Sequence, residues 1–314
     1  MKVFVAGATG AIGRQLVPML VQRGHEVVGM TRTDSKRELL QGMGARPVVA
    51  DALDPEAVGR AVGGAEPEVI VHQLTAIPSS LNPRRLERDF AGTNRLRTEG
   101  TDHLLSAARG TGVRRFVAQS FASYFVRTGS AVKSEDDAFD PDPPAAIRTT
   151  LEAIRYLEDV VTGADWVEGV VLRYGAFYGP GTSFAVRPPG ELVGLIRKRM
   201  FPIVGGGAGV WSFVHIEDAA KATVDAVERG ARGTYHVVDD EPAPVREWLP
   251  VAAEVLGAKR PWRLPRWLGR LAAGEAAAVM MTEARGASNA KAKRELGWQP
   301  RYPSWRQGFV KGLG

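Results

Sequence analysis

Short apolar runs alternate with amphipathic stretches along most of the chain. Lys2–Ala6 is a largely apolar, β-branched run of the kind that forms a buried parallel strand. The stretch Arg14–Arg23 has apolar residues at helical spacing, and Gly24 follows it as a C-cap. Pro18 lies inside this stretch and predicts a kink, because proline removes a helical hydrogen bond.

The same strand–helix unit recurs as far as Arg173. Further strands are predicted at residues 26–30, 46–50, 68–72, 115–119 and 167–173, and helices at 55–62, 94–109 and 149–161. Strands that alternate with helices form right-handed βαβ units, so a parallel sheet covered on both faces is expected. The predicted fold class is therefore α/β, a Rossmann-type doubly wound parallel sheet with a smaller C-terminal substrate lobe.

The regular alternation of predicted strands and helices ends after Tyr174. Residues 175–210 are rich in glycine and proline, with one helix predicted at 190–199, and a strand–helix unit follows at 212–228 with a strand at 234–238. We therefore predict a nucleotide-binding domain of residues 1–173, to which 211–239 return, and a substrate lobe of 174–210 and 240–314. An apolar stripe in that lobe predicts core or lid packing and favours an apolar substrate. It comprises Trp262, Leu264, Trp267, Leu268, Leu271, Met280 and Met281.

A glycine-rich segment joins the first predicted strand to the first helix. Gly7 can take the tight turn, Gly10 lets backbone N–H groups approach a pyrophosphate, and Gly13 lets helix and strand pack closely. The start of the helix adds unpaired N–H groups and the positive end of its dipole. The segment is therefore expected to bind the diphosphate of a dinucleotide through Gly7, Thr9, Gly10, Ala11, Ile12 and Gly13.

The end of the second predicted strand indicates which dinucleotide is bound. An acidic residue there binds the ribose 2′-hydroxyl of NAD, whereas an arginine accommodates the 2′-phosphate of NADP. Thr31 and Arg32 follow this strand, with Lys36 beyond them, and Asp34 lies past the strand end. We expect NADP(H) to be the cofactor and NAD(H) to be the less favoured one.

Composition excludes several classes of function. The chain has 314 residues, 44% of them hydrophobic and 24% charged, which is enough to bury a full core. It has no cysteine, which excludes disulfides and thiolate zinc sites, and its five histidines lack metal-ligand spacing, so no metal site is expected. The net charge of +6 comes with no nucleic-acid motif, and no apolar run reaches the roughly 18 residues of a membrane span. We expect a cytoplasmic protein with neither nucleic acid nor membrane as partner.

Further motifs, taken with the glycine loop, resemble the extended short-chain dehydrogenase/reductase family, also called the NAD-dependent epimerase/dehydratase family. They are Asp51 in VVADALD, residues 69–76 (VIVHQLTA), Asn94 with Gly100 and Thr101, residues 112–117 (GVRRFV), 172–181 (LRYGAFYGPG), 214–220 (VHIEDAA) and 293–300 (KRELGWQP). Together they span nearly the whole chain. The resemblance implies further cofactor contacts from Asp51, Ala52, Gln73, Leu74, Thr75, Asn94, Ser120, Arg173 and Tyr174.

The sequence departs from this family at the catalytic residues. The family pairs a general-acid tyrosine with a lysine four residues later, and the lysine lowers the pKa of the tyrosine. Aligning Glu158 with a glutamate of the family places Thr150 at the tyrosine position and Ile154 at the lysine position. Residues 149–155 contain neither tyrosine nor lysine.

We therefore predict that the proton donor has moved to Tyr124, assisted by Ser120 or Thr150. Tyr124 and Ser120 flank the end of the fifth predicted strand, at the edge where doubly wound folds bind ligands. Lys133 could supply the cation, but its polar neighbourhood favours a solvated loop charge.

Three functions stay open at this level. The favoured one is an NADPH-dependent reductase of a small, fairly apolar carbonyl or conjugated double bond. The second is an NADP-binding sensor without catalysis. The third is a nucleotide-sugar epimerase or dehydratase, which depends most on the missing Tyr-Lys pair. Each implies a small-molecule ligand, and the sequence leaves homodimer formation open.

Overall fold

The computed structural model of the protein describes residues 1–314. Its strands are β1 (Lys2–Ala6), β2 (Glu26–Thr31), β3 (Arg46–Val49), β4 (Val69–His72), β5 (Arg115–Phe121), β6 (Val132–Lys133), β7 (Glu168–Tyr174), β8 (Ala176–Tyr178), β9 (Ile203–Val204), β10 (Val210–Trp211), β11 (Phe213–His215), β12 (Gly233–Val237), β13 (Ala243–Pro244), β14 (Arg263–Leu264) and β15 (Gly286–Ala287). Its helices are α1 (Ala11–Gln22), α2 (Arg37–Gly42), α3 (Pro55–Gly63), α4 (Leu86–Arg97), α5 (Glu99–Ala108), α6 (Ala145–Gly163), α7 (Glu191–Arg197), α8 (Ile216–Arg229), α9 (Val245–Val255), α10 (Arg266–Thr282), α11 (Ala290–Leu296) and α12 (Trp305–Lys311). A short 3₁₀ turn, Asp34–Lys36, precedes α2.

A seven-stranded parallel sheet forms the centre of the molecule. Its strand order is β12-β7-β5-β4-β1-β2-β3, and every neighbouring pair is parallel. The chain winds outward from β1 in one direction through β2 and β3, and in the other through β4. The order therefore reverses beside β1, where a crevice opens at the carboxyl ends of the strands. This arrangement confirms the predicted Rossmann-type α/β fold.

Alternating side chains of the strands supply two separate cores, one on each face of the sheet. Val3 and Val5 of β1 join the cluster beneath α1 and α8, whereas Phe4 and Ala6 join the cluster beneath α3, α5 and α6. This alternation follows from the two-residue period of a strand. Because both faces are covered, the strands are apolar almost throughout, as the sequence indicates.

A third apolar cluster lies in the C-terminal part, around the fully buried Trp248 and Trp305. Within residues 211–239 only β12 joins the central sheet, since β11 pairs with β8 instead. Conversely, Leu296 and Trp298 pack into the cluster beneath α1 and α8. The chain thus passes between the central sheet and the C-terminal part more often than the predicted boundaries imply. The division into domains stays a prediction.

Several predicted elements differ from the structure in detail. The single helix predicted at 94–109 is two helices, α4 and α5, which meet at Thr98 with φ −95° and ψ −84°. Helix α1 continues to Gln22 through Pro18, where the kink stays a prediction.

The C-terminal apolar stripe is mostly not core. Trp262, Trp267 and Leu271 are 56%, 68% and 67% exposed, whereas Met281 is buried. Of the two predicted roles, core packing is therefore wrong for these three residues, and packing as a lid stays a prediction. Helix α10 itself is broken at Gly274, whose φ is 86°.

Candidate cofactor and substrate site

The glycine loop packs so tightly that two of its positions exclude a side chain. Gly7 has φ +92°, and a Cβ placed there would lie 2.6 Å from the carbonyl oxygen of Gln73. A Cβ at Gly13 would overlap the backbone of Gly7 and Ala8. Glycine at these positions therefore brings α1 against β1 and β4, which points the helix at the crevice.

The start of α1 leaves backbone donors unused. Gly10 is the N-cap, provides no side-chain cap, and has extended backbone with φ −74° and ψ 179°. The N–H groups of Ala11, Ile12 and Gly13 have no acceptor within the protein. Unpaired N–H groups at a helix start suit an anion, so a diphosphate fits the chemistry of this loop.

The loop forms one wall of a cleft of about 180 Å³ that brings together eight of the seventeen predicted cofactor residues. Its lining residues are Gly7, Thr9, Gly10, Met30, Thr31, Arg32, Thr33, Lys36, Gln73, Leu74 and Thr75. They include two cations and no carboxylate. Asp34 does not line the cleft, and its carboxylate accepts a hydrogen bond from Arg37 Nε at 2.5 Å.

Nine of the predicted contacts lie outside this lining, among them Asp51 and Ala52. The side chain of Asp51 is exposed, and its Oδ1 accepts a hydrogen bond from the backbone N–H of Leu53 at 3.0 Å. Ala52 is buried in the core, and its carbonyl oxygen lies 2.9 Å from Nδ1 of His103. Their role at the adenine ring stays a prediction.

Ser120 and Arg173 meet at a buried carboxylate on the α6 side of the sheet. Ser120 Oγ donates to Glu158 Oε1 at 2.6 Å, and Arg173 binds the same carboxylate with two nitrogens at 2.9 and 2.6 Å. All three residues are buried. The hydroxyl proton of Ser120 is thus engaged with Glu158, and the charges of Glu158 and Arg173 compensate one another.

Tyr174 lies on the opposite face of the sheet. Its hydroxyl accepts a hydrogen bond from Gln73 Nε2 at 3.0 Å and lies 2.7 Å from the hydroxyl of Thr223. Burial raises the pKa of Tyr174 to about 12, so the phenol is neutral at physiological pH. Tyr174 therefore positions the side chain of Gln73, which lines the cofactor cleft.

Thr150 and Asn94 contact each other between α4 and α6. Asn94 Nδ2 donates to Thr150 Oγ1 at 3.2 Å, and both residues are buried. Ile154 is also buried, one turn further along α6. At the positions that correspond to the family's tyrosine and lysine, α6 therefore carries the hydroxyl of Thr150 and the apolar side chain of Ile154.

Tyr124 lies directly beyond β5 in a rare backbone conformation. Its φ is +60°, which non-glycine residues seldom adopt, and its ring packs edge-on against Phe121. Burial raises the pKa of the Tyr124 phenol, and the charge of Arg97 opposes this shift. The phenol is therefore protonated at neutral pH and can act as a hydrogen-bond donor.

Lys133 is not the solvated loop charge that its neighbourhood suggested. It is only 3% exposed, and its Nζ donates to the carbonyl oxygen of Thr128 at 2.8 Å and to Asp137 Oδ1 at 3.2 Å. Burial of the aliphatic stem in the strand β6 makes the expectation wrong. The same two partners occupy the ammonium group, so Lys133 does not act as the cation beside Tyr124.

Arg97 is a buried charge that sequence reasoning missed. It lies one turn after Asn94 on α4, and neither its Nε nor its Nη1 has a hydrogen-bond partner. It lies three residues after the candidate Asn94 and hence on the same face of α4, but no pattern in the sequence shows that its charge is buried without a partner.

The loop between β4 and α4 connects the cofactor cleft to the C-terminal part. Its first residues line the cleft, and further along Ser80 Oγ and the N–H of Leu81 both donate to the carboxylate of Glu191 on α7. Arg84 then donates to the carbonyl oxygens of Leu271 and Ala272, just before the break in α10. Residues 73–84 therefore contact the cleft at one end and two helices of the C-terminal part at the other.

The fold and the glycine loop agree with a comparison against known families. The model of the NAD dependent epimerase/dehydratase family matches residues 3–238, which is most of the chain. The chain belongs to this family. The match includes the central sheet, the glycine loop and the residues around Glu158.

Members of the family with known activities are similar to this chain over most of its length. The 3-diazoavenalumate denitrifying reductase of a Streptomyces species is 48% identical over 319 residues, covering 98% of this chain and 99% of the relative. A 4-hydroxy-2-methyl-3-oxo-4-farnesyl-3,4-dihydroquinoline-1-oxide ketoreductase of Stigmatella aurantiaca is 27% identical, covering 82% and 74%. The chain is accordingly an NAD(P)-dependent oxidoreductase, and the reductases among its relatives do not favour the sensor or epimerase alternatives.

Solved structures of the same fold include members with either nicotinamide cofactor. The UDP-glucose 4-epimerase of Thermotoga maritima, solved with UDP-glucose, is 22% identical with a TM-score of 0.76, covering 100% of this chain and 97% of that one. The Thermus thermophilus UDP-glucose 4-epimerase in complex with NAD is 24% identical, with a TM-score of 0.72 and coverage of 100% and 98%. A human epimerase family protein with NADPH is 20% identical, with a TM-score of 0.73 and coverage of 100% and 99%.

No helix of the chain combines the length and the apolar character that crossing a bilayer requires.

Proposed function

We propose that the chain is an NADPH-dependent reductase that removes the diazo group of a small organic acid, replacing it by hydrogen and releasing N₂. The observation that carries this proposal is the 48% identity to the Streptomyces reductase, which extends along nearly all of both chains. That relative is named for a substrate that is a diazo compound and an acid anion, and for a denitrifying reduction as its reaction.

The cofactor cleft supports NADPH over NADH. Arg32 and Lys36 both line the cleft where the second strand ends, and no carboxylate lines it with them. A 2′-phosphate would bind to these cations, whereas a 2′-hydroxyl would have no acidic partner among the lining residues. The nicotinamide cofactor supplies a hydride when it is bound.

The chemistry of a diazo group explains the side chains at Thr150 and Ile154. When the diazo carbon belongs to an aromatic ring, the group is an arenediazonium and is replaced in the balance Ar–N₂⁺ + H⁻ → Ar–H + N₂, which needs no external proton. A diazo group on a non-aromatic carbon would need one proton in addition to the hydride. Reduction of a carbonyl requires one hydride and one proton, so it depends on a general acid. A helix α6 without tyrosine or lysine at residues 149–155 is therefore compatible with diazo reduction and less suited to carbonyl reduction.

The chain's own residues then mainly bind and orient. The N–H groups at the start of α1 hold the diphosphate, Gln73 is fixed by Tyr174, and α10 lies over the residues after β5 through the contact of Ser123 Oγ with Met280 Sδ at 3.8 Å. Holding the two reactants in one orientation is itself a large catalytic contribution. Tyr124 as donor, with Ser120 or Thr150, stays a prediction that applies to carbonyl and conjugated substrates.

The proposal is tested by mixing enzyme and NADPH with an ortho-quinone diazide carboxylic acid, and in parallel with a panel of ketones and enones. We expect one N₂ released, measured by mass spectrometry, for each NADPH oxidised, above the rate with heat-inactivated enzyme. Tyr124→Phe should retain this activity. Turnover of ketones or enones with no N₂ release would overturn the diazo proposal and support the carbonyl or double-bond substrate.

The cofactor preference has a separate test in calorimetric titrations of NADP⁺ and NAD⁺. The Arg32→Ala variant should bind NADP⁺ about tenfold more weakly, as expected for one lost charge-assisted contact, and should bind NAD⁺ as before. Arg14→Ala is the matched control, because Arg14 lies next to the loop but bonds only to the carbonyl oxygen of Thr9. Equal affinity of the wild type for both cofactors would contradict the preference.

A further inference from the structure

Arg97 carries a buried positive charge with no anionic partner. The residue is 7% exposed, and no carboxylate lies within 4.0 Å of its guanidinium. Its Nε and Nη1 atoms are buried without any hydrogen bond. Arg173, the other guanidinium buried to this extent, differs in that it binds Glu158 with two nitrogens.

The charge of Arg97 is not compensated by its surroundings. Glu158 is a nearby anion that acts on it, but Arg173 and Ser120 already bind that carboxylate at 2.6 Å. Burial lowers the pKa of Arg97 to about 10, so it remains protonated at neutral pH. Buried charges are normally paired, which makes a lone guanidinium a site that an anion would stabilise.

The position of Arg97 directs it toward the ligand-binding edge of the sheet. Arg97 is the last residue of α4, and the carbonyl oxygen of the preceding Leu96 lies 3.2 Å from Nε2 of His72, the residue that ends β4 at this edge. On the same face one turn earlier, Thr93 Oγ1 accepts a hydrogen bond from the N–H of Ala76, which follows the cleft-lining Thr75. Tyr124 follows β5 at the same edge, and the charge of Arg97 opposes the rise that burial causes in the pKa of its phenol.

A second unpartnered group lies beside it. Asn94 is buried, and its Oδ1 has no hydrogen-bond partner although its Nδ2 is bound to Thr150. Two free guanidinium donors and a free amide acceptor thus occur within one turn of α4. No side chain of the protein uses them, which indicates that a ligand does.

We infer that Arg97 is the residue that binds an anionic oxygen of the substrate, either a carboxylate or a phenolate. The inference rests on the proposed function only in taking this ligand to be the substrate of the reductase. A guanidinium presents donors in a planar fork that matches such oxygens. Anchoring the anion here fixes the orientation of the substrate at the edge where the cofactor binds, so Arg97 acts in binding and not in proton transfer.

The experiment measures binding of probes that cannot be reduced, to the full-length protein saturated with NADP⁺. The probes are 4-hydroxycinnamate, its methyl ester and 4-methoxycinnamate, and the readout is calorimetry. We expect the free acid to bind about tenfold or more tightly than at least one of the two blocked probes, because each blocked probe lacks one oxygen that can be anionic. Loss with the ester assigns the carboxylate, and loss with the methoxy compound assigns the phenolate.

Variants then assign the effect to Arg97. Arg97→Gln should abolish the preference, Arg97→Lys should keep part of it, and Arg95→Gln, on the exposed face of the same helix, should leave it intact. Unchanged NADP⁺ affinity and unfolding temperature in these variants separate lost anion binding from lost folding. Equal affinity of the wild type for all three probes overturns the inference even where Arg97→Gln does not fold.

The inference and the proposed function fail in different ways. Absence of N₂ release overturns the diazo reaction but leaves the probe affinities unaffected. Equal probe affinities with normal N₂ release overturn only the role of Arg97. For an active enzyme, KM should rise in Arg97→Gln much more than kcat falls, whereas a purely structural role would lower the amount of folded enzyme without changing KM.

Discussion

At the scale of single residues, the cofactor site depends on two missing groups: a side chain in the glycine loop and a carboxylate in the cleft. Gly13 lacks a side chain where the backbone of Gly7 and Ala8 passes, and the cleft lacks a carboxylate where Arg32 lies. Both features follow from local spacing in the sequence, so both could be predicted. Arg97 could not, because its isolation depends on which residues α6 and β7 bring near it.

Gly13→Ala should strongly weaken cofactor binding. The added methyl group overlaps backbone atoms that cannot rotate away, so α1 must move from the loop at a cost of about 1–3 kcal/mol. The expected result is NADP⁺ affinity lower by about tenfold or more in calorimetry. Gly59→Ala is the control, because its Cβ meets open space on α3 and should leave affinity unchanged. Wild-type affinity in Gly13→Ala would contradict the tight packing of the loop.

We predict that the folded protein loses stability in acid, because His72 is buried at the end of β4. Burial lowers its pKa to about 4, helped by the charge of Arg97 and opposed by the bond of Nε2 to the carbonyl oxygen of Leu96. Its Nδ1 accepts from the N–H of Leu74, so only the neutral ring fits. Because the folded-state pKa is depressed below the ordinary 6.5, this stabilisation is present above pH 6.5 and is lost as the pH falls toward 4.

Urea unfolding at pH 7.5 and pH 4.5 measures this effect. The free energy of unfolding of the wild type should fall by on the order of 2–3 kcal/mol from His72, according to the shift in its pKa. His72→Gln keeps a donor toward Leu96 but cannot titrate, so its stability should fall less over the same range. The same fall in both proteins would show that other groups cause the acid sensitivity.

At the scale of elements, helix α6 is held to the sheet by charge as well as by apolar packing. Leu157 and Val161 pack into the core beneath it, while Glu158 reaches Ser120 of β5 and Arg173 of β7. The apolar spacing that predicts α6 says nothing about this carboxylate. Ser120 was predicted to contact the ligand from its place at the end of β5. The structure places its hydroxyl on Glu158, and a contact with the ligand stays a prediction.

Glu158→Ala should destabilise the fold by about 3–5 kcal/mol, because it leaves the guanidinium of Arg173 buried without a partner. Thermal and urea unfolding would both report the loss. Glu152→Ala, exposed on the same helix, is the control and should stay within about 0.5 kcal/mol of the wild type. Comparable stability of the two variants would show that the Glu158 ion pair contributes little.

At the scale of the whole molecule, segments distant in sequence complete each other. Strand β12, from residue 233 onward, forms the edge of a sheet that begins at Lys2. The N–H groups of Arg301 and Tyr302 donate to the carboxylate of Asp218 on α8, and Trp298 Nε1 donates to the carbonyl oxygen of the same residue. Contacts between segments that are distant in sequence leave no pattern along the chain. Domain boundaries are therefore harder to predict from the sequence than strands. Homodimer formation and a cytoplasmic location stay predictions.

The loop between β4 and α4 has a consequence for the order in which the protein takes up its ligands. Since residues 73–75 line the cofactor cleft while Glu191 and Arg84 connect the same loop to α7 and α10, a cofactor that orders one end restrains the other. Trypsin should therefore cut after Arg84 and Arg85 more slowly when NADP⁺ is bound, and Glu191→Gln should lose part of this protection, while Glu254→Gln on α9 should not. Equal cleavage rates with and without NADP⁺ would show that a cofactor at one end of the loop does not restrain the other end. We predict from this connection that the cofactor binds before the substrate, because the dinucleotide adds a restraint at residues 73–75 to the contacts that Glu191 and Arg84 already make with the loop.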